Sequence, residues 1–313
     1  MNISVVVPSY HRPDALTNCL RALALMDRTP DEIIVVIHAS DAASRSLLEE
    51  HPEVTAVEVD LPGAVRAMTA GAYASMGEVI AFTDDDACPR SDWLARIEAM
   101  FDSDQTIAAV GGRDVIHEPD GSLRPMNLAD KVGVLTWYGR LIGNHHRGQG
   151  GARDVQVLKG VNGAYRRADL ALPSGLRGKG TQIHFEVAMG IRITQSSRRL
   201  VYDPAIMVDH FPAVRQDADT RGAPPVEAVN GHAYNLTTSV AMLGPAHLAA
   251  RTIYAVLAGD FAMPGLLRAL IARVQGDRHA GVRLRGAVSG NLAAARDWVR
   301  GRRPTFVSPP PRP

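Results

Sequence analysis

Four β-branched runs alternate with helix-like stretches over the first hundred residues, and this alternation restricts the possible folds more than any other feature of the chain. Ser4 to Val7, Ile33 to Ile37, Val54 to Val59 and Val79 to Phe82 read as strands. Helical spacing is clearest from Ala15 to Met26, where Leu16, Cys19, Leu20 and Leu23 recur on one face. Strands separated by helices of this length need crossover connections, so an α/β fold with a mostly parallel sheet is expected. Ala108 to Gly111 add a fifth strand. In such sheets ligands sit outside the carboxyl ends of the strands. The fourth run ends on Thr83-Asp84-Asp85-Asp86-Ala87, three adjacent carboxylates at that edge. They repel one another unless a cation or a donor-rich ligand compensates them. Mg²⁺ shares its oxygen ligands between one or two carboxylates and a substrate's phosphates. The run is therefore either a seat for a metal–diphosphate or an acidic turn capping a helix that starts near Ser91-Asp92-Trp93.

With 313 residues, the chain is long enough for one large domain and an appendage. Its 34 basic and 33 acidic side chains balance, so the overall charge argues neither for nor against nucleic acid, and no nucleic-acid partner is expected. Two cysteines, Cys19 and Cys88, exclude a disulfide framework and fit a reducing compartment. The first strand begins at once, without the basic stretch and apolar h-region expected of a secretory signal, and no apolar run reaches the roughly 18 residues of a membrane span. A cytoplasmic protein is expected, free or peripheral at the inner face of the membrane.

From Gly112 to Gly151 the pattern loosens, and Asn144 to Gly151 reads as a mobile loop. Periodicity returns at Val155 to Leu158, in a helix around Glu186 to Ile193, and in the strand Leu200-Val201-Tyr202. A polar bridge from Asp217 to Pro225 leads to a helical tail, Val226 to Val299, with arginines at 251, 268, 273, 283, 285, 296 and 300. Its apolar face packs on the first domain or on another subunit, or docks on anionic lipid. The proline-rich end, 302–313, is expected to be disordered.

Three segments accompany the acidic run. Val5-Val6-Val7-Pro8-Ser9-Tyr10-His11-Arg12-Pro13 leaves the first strand at a proline, which frees the following backbone to contact a planar base. Lys159-Gly160-Val161-Asn162-Gly163-Ala164-Tyr165-Arg166-Arg167 combines small residues that permit close approach with side-chain donors. His184-Phe185-Glu186 opens a helix, and His210 stands just past a strand that ends at Asp209. In order and spacing these segments, with Gly71 to Asp86, resemble a family 2 glycosyltransferase of the GT-A fold, from Val5 to about His210.

That resemblance implies a Rossmann-like catalytic domain over 1–215, with a nucleotide-sugar half of about 1–112 and an acceptor half of about 113–215. A helical extension, 216–301, and the tail, 302–313, follow. It implies a nucleoside-diphosphate sugar as donor, Mg²⁺ or Mn²⁺ as cofactor, and a glycan or lipid-linked acceptor, as in bacterial surface polysaccharide or glycolipid assembly. Asp84, Asp86 and His210 would hold the metal, and Glu186 would be the catalytic base of an inverting displacement. Pro8, Ser9, Tyr10, Arg12, His38, Asp41, Arg66, Asp84, Asp85, Gly160 and Asn162 would bind the donor.

The chain also departs from the family pattern. Where the second strand usually ends in an acidic pair that holds the base, Ile37 and His38 stand, with Asp41 the nearest acid. Phe185 replaces the acidic residue before the base, and the Gln-X-X-Arg-Trp signature of processive synthases is absent, which argues for one sugar per encounter. Two alternatives are a sugar-nucleotide nucleotidyltransferase and a non-catalytic nucleotide-sugar-binding module. The first normally needs a Gly-rich loop after the opening strand, where Ser9-Tyr10-His11-Arg12-Pro13 stands. Retention of Asp84, Asp86 and Glu186 disfavours the second.

Overall fold

The structure is a computed structural model and describes residues 1–178, 180, 182–213 and 225–311. In chain order the first half contains β1 (Ile3–Pro8), α1 (Pro13–Ala24), β2 (Glu32–His38), α2 (Ala42–Glu49), β3 (Val54–Val59), α3 (Ala64–Ala74), β4 (Val79–Phe82), β5 (Ala87–Pro89), α4 (Trp93–Ser103) and β6 (Ile107–Ile116). After it come β7 (Val134–Leu135), β8 (Leu141–Ile142), β9 (Arg153–Val155), β10 (Gly163–Arg166), β11 (Leu172–Ser174), α5 (Phe185–Gln195) and β12 (Arg199–His210). Helices α6 (Val226–Ala241), α7 (Pro245–Leu257), α8 (Leu266–Val274) and α9 (Ala280–Val299) precede a last strand, β13 (Thr305–Val307).

The main sheet runs in the order β3-β2-β1-β4-β10-β6-β12-β5, with β9 attached to β12. Strands β3, β2, β1 and β4 are mutually parallel, as the helical crossovers require. Strand β10 is antiparallel between β4 and β6, and β12 is parallel to β6. Parallel strands covered on both faces need apolar side chains on both, which is why β1 and β2 are nearly continuous apolar runs. Val5 and Val7 face the core shared with Leu16, Leu20, Trp93, Ile97 and Phe101, from α1 and α4. Val6, Ile34 and Val36 face the opposite layer, with Val65, Met68 and Ala72 of α3 and Phe185 and Met189 of α5. A third cluster joins Val187 and Ile191 of α5 to Val229, Ala233 and Leu236 of α6 and Ala287 of α9.

The structure corrects two expectations from sequence. The stretch Asn144 to Gly151 is packed: His145 is buried, its Nε2 bonds the carbonyl oxygen of Val157 at 2.8 Å, and its own carbonyl accepts from the Tyr202 hydroxyl at 2.7 Å. The described part of the proline-rich end, 302–311, is packed against the domain. Its β13 pairs antiparallel with β11, and Arg192 lies over the Phe306 ring at 5.0 Å. Proline removes donors but leaves carbonyls free, and Pro310 uses one to accept from Arg167.

Helix α5 lies hard against the segment 156–161. A Cβ on Gly190 would fall 1.9 Å from the Gln156 carbonyl oxygen. A helical glycine costs about 1 kcal/mol relative to alanine, but a clash with backbone oxygen costs more, about 1–3 kcal/mol. Gly190→Ala is therefore expected to lower stability in urea unfolding despite its better helix propensity. A variant as stable as the wild type would show that α5 is not held at this distance.

Candidate active site

The carboxyl ends of β1 to β4 open onto a cleft of about 560 Å³. The three acids that leave β4 take different directions. Asp85 turns inward and is fully buried; its carboxylate accepts from Ser9 Oγ at 2.8 Å and pairs with Arg12 at 2.7 Å. Burial pushes its pKa up to about 7, against the pull of Arg12. Asp86 faces the cleft, paired with Arg12 at 3.0 Å and accepting from the Ala213 backbone N–H at 2.9 Å. Burial opposes its ionisation, but His210 and Arg12 outweigh that and hold it at about 2.

Strand register explains how His210 arrives beside Asp86. The last residue of β12 pairs with Ala87 of β5 on one side and Ile116 of β6 on the other. His210 Nε2 consequently lies 3.3 Å from Asp86, and Nδ1 lies 3.8 Å from Asp114. Burial would lower the imidazole pKa, yet the two carboxylates raise it to about 9. Asp114, buried in β6, also pairs with Lys159. Despite burial, His210 and Lys159 hold Asp114 at about 2.

Asp84 is the exception: its carboxylate has no hydrogen bond or ion pair among the described residues. Burial, and then the neighbouring Asp86, push its pKa up. Asp84, Asp86 and His210 offer ligand atoms that all lie within 4.8 Å of one another. Two hard oxygen donors and one imidazole suit Mn²⁺ or Mg²⁺, and the unpaired carboxylate supplies a charge for the ion to offset.

Glu186 lies across the same cleft, in the first turn of α5. Its Oε1 accepts from the Gly160 backbone N–H at 3.4 Å, and burial raises its pKa. Pro8, Ser9, Tyr10, Arg12, His38, Asp84, Asp86, Gly160, Glu186 and His210 all line this cleft. Tyr10 lies edge-on to His11 and His38, with centroids 4.7 and 5.6 Å away.

Four expected donor contacts stand elsewhere. Asp41 is buried and caps α2, accepting from Ser44 N at 3.1 Å and from His11 N at 2.7 Å, so it cannot replace the missing acids of the second strand. Arg66 is exposed on α3, and Asp85 is an interior partner of Arg12. Asn162 spends its amide on the Arg113 and Ile206 carbonyls and accepts from the Trp93 indole at 2.9 Å. Trp93 is therefore a core residue, whereas Trp137 is 72% exposed. His38 also has both nitrogens engaged: Nδ1 accepts from the Ser40 backbone N–H at 3.2 Å, leaving Nε2 to donate to the Asp60 carbonyl at 3.1 Å. Sequence reasoning missed Asp114 and Lys159, because a lone acid inside an apolar strand carries no local signal of its partners.

Residues 4–171 match Glycosyl transferase family 2, and the chain belongs to that family. It is a glycosyltransferase with the GT-A fold. It is 26% identical over 226 residues to the glucosyl-dolichyl phosphate glucuronosyltransferase of Haloferax volcanii, covering 67% of this chain and 69% of that relative. A mannosyltransferase of Pyrobaculum calidifontis, solved with GDP-Man and Mn²⁺, superposes with a TM-score of 0.55 at 18% identity, over 96% of this chain and 88% of that one. GalNAc-T7, solved with UDP, GalNAc and Mn²⁺, gives 0.62 at 16% identity, over 96% and 57%.

Away from the cleft, burial holds His145 down at about 4. The unfolded imidazole titrates near 6.5, so the unfolded chain binds the proton first and stability falls as pH drops from about 6.5 to about 4. Between pH 7.5 and 5, His145 is expected to contribute about 2 kcal/mol of lost stability. Urea titrations of the wild type and His145→Gln at both pH values would show it, the variant having the shallower dependence. Equal slopes would contradict the buried neutral imidazole.

Proposed function

We propose that this cleft transfers one sugar from a nucleoside-diphosphate donor to an acceptor hydroxyl, with inversion at the anomeric carbon. The observation that carries the reading is the unpaired Asp84 carboxylate beside Asp86 and His210, with Glu186 in the same cleft. Asp84, Asp86 and His210 would hold Mn²⁺ or Mg²⁺, which when bound offsets the negative charge of the departing nucleoside diphosphate. Asp86 is kept ionised by Arg12 and His210, as a metal ligand must be. His210 gives up its proton on ligation, since an imidazolium has no lone pair to donate.

Glu186 takes the proton of the acceptor hydroxyl as that oxygen attacks. Its raised pKa makes it a stronger base than an exposed glutamate, and the Gly160 N–H aims the carboxylate into the cleft. Tyr10 and His38 meet the nucleobase with ring faces, while Val59, Pro62 and Met68 add apolar wall. No carboxylate lines that part of the cleft among the described residues, so discrimination in favour of uracil is weak. The acceptor is a glycan or a lipid-linked sugar; the Haloferax relative's name contains a dolichyl phosphate, which supports the lipid-linked form.

Mn²⁺-dependent hydrolysis of a donor is expected to release nucleoside diphosphate; release of pyrophosphate would instead indicate a nucleotidyltransferase. Glu186→Gln is expected to slow transfer by about 10²–10⁴-fold, the usual contribution of a general base, while leaving Mn²⁺-dependent thermal stabilisation by the nucleotide intact. Asp86→Asn is expected to lose both. An unchanged rate in Glu186→Gln would remove the base assignment.

A further inference from the structure

We propose that α8 and the turn before it form a docking surface for an anionic lipid bilayer. Helix α8 buries one side chain, Ala269, and exposes Leu266, Leu267, Leu270, Ile271 and Val274, at 52–82%. At about 100° per residue these five fall within an arc of about 140°, opposite Ala269. Arg268 and Arg273 border that arc, one on each side, and both are exposed. Before the helix stands Phe261, 78% exposed, and α7 adds Ile253 and Leu257, at 60% and 50%.

An apolar stripe edged by arginines is the composition of a helix lying in a bilayer interface. Charge decides the occupant. Residues 245–303 hold ten arginines and three aspartates, a net +7 in a chain of net +1, which leaves −6 on the remainder. The three aspartates are already paired: Asp260 with Arg251, Asp277 with Arg283, and Asp297 with Arg302. Arg268, Arg273, Arg278 and Arg285 have no carboxylate partner among the described residues. A second copy meeting this face through a two-fold axis would set the same cations against one another. Anionic headgroups answer both the stripe and the charge, at roughly fivefold in affinity per arginine near the surface. The inference goes beyond the transfer chemistry and is tested without it.

The full chain should sediment with vesicles of phosphatidylcholine and phosphatidylglycerol at 7:3, and remain in solution with phosphatidylcholine alone. Leu267→Glu/Leu270→Glu/Ile271→Glu, all at exposed positions, should weaken binding at least tenfold. Arg268→Glu/Arg273→Glu/Arg278→Glu should abolish the preference for anionic vesicles. Both variants should keep wild-type thermal stabilisation by nucleotide and Mn²⁺, which reports the fold and the cleft separately. Absence of wild-type protein from the anionic pellet would overturn the proposal. So would undiminished binding by the leucine variant, or a dimer broken by Leu270→Glu with no vesicle binding.

Discussion

A row of alternating charges, with its carboxylates and His210 buried and Arg12 and Lys159 partly exposed, holds the active-site region together. Asp85 pairs with Arg12, Arg12 with Asp86, Asp86 with His210, His210 with Asp114, and Asp114 with Lys159. The row ties the exit of β1 to the turn after β4, to the end of β12, to β6 and to the approach to β10. Buried charges are costly unless each has a partner, so Asp85, Asp86, Asp114 and His210 depend on these elements being in place. Three carboxylates meet three cations along it, and Asp84, just outside, has no cationic partner among the described residues. The proposed metal and diphosphate answer that imbalance.

The same row gives its members separate tasks. Asp85, whose burial is complete, orients Ser9 and Arg12, while Asp86 looks into the cleft. Adjacent residues of one tripeptide thus differ in protonation tendency by environment alone, one pushed up to about 7 and the other held at about 2. Lys159 and Asp114 support His210 from behind. In the proposed mechanism Glu186 works from another element, α5, which is positioned by the close approach of Gly190 to the Gln156 carbonyl.

Much of the fold was legible because parallel strands buried on both faces leave apolar runs that periodicity detects. The four opening strands and the helix expected from Ala15 to Met26 match their expected places, to within a few residues. Misread segments were those whose order comes from distant partners. His145 is held by Val157 and Tyr202, and the proline-rich end by β11, Arg167 and Arg192. No helix among the described residues is long and apolar enough to cross a membrane. The exposed stripe of α8 follows helical spacing, but its exposure depends on which face α9 and α7 leave uncovered.

By itself the sequence determined the kind of sheet, the acids at its edge and the family, because strand periodicity, the Asp84–Asp86 run and motif order are all local patterns. Only the tertiary structure decided which of those acids is free to meet a ligand and which is spent internally. It decided likewise that Asp41, Asn162 and the nitrogens of His38 serve the protein rather than the cleft. The reason is physical: a side chain's availability depends on its partners, and the side-chain hydrogen-bond partners of Asp86, Asp85 and Asn162 named above lie 44 to 127 residues away along the chain.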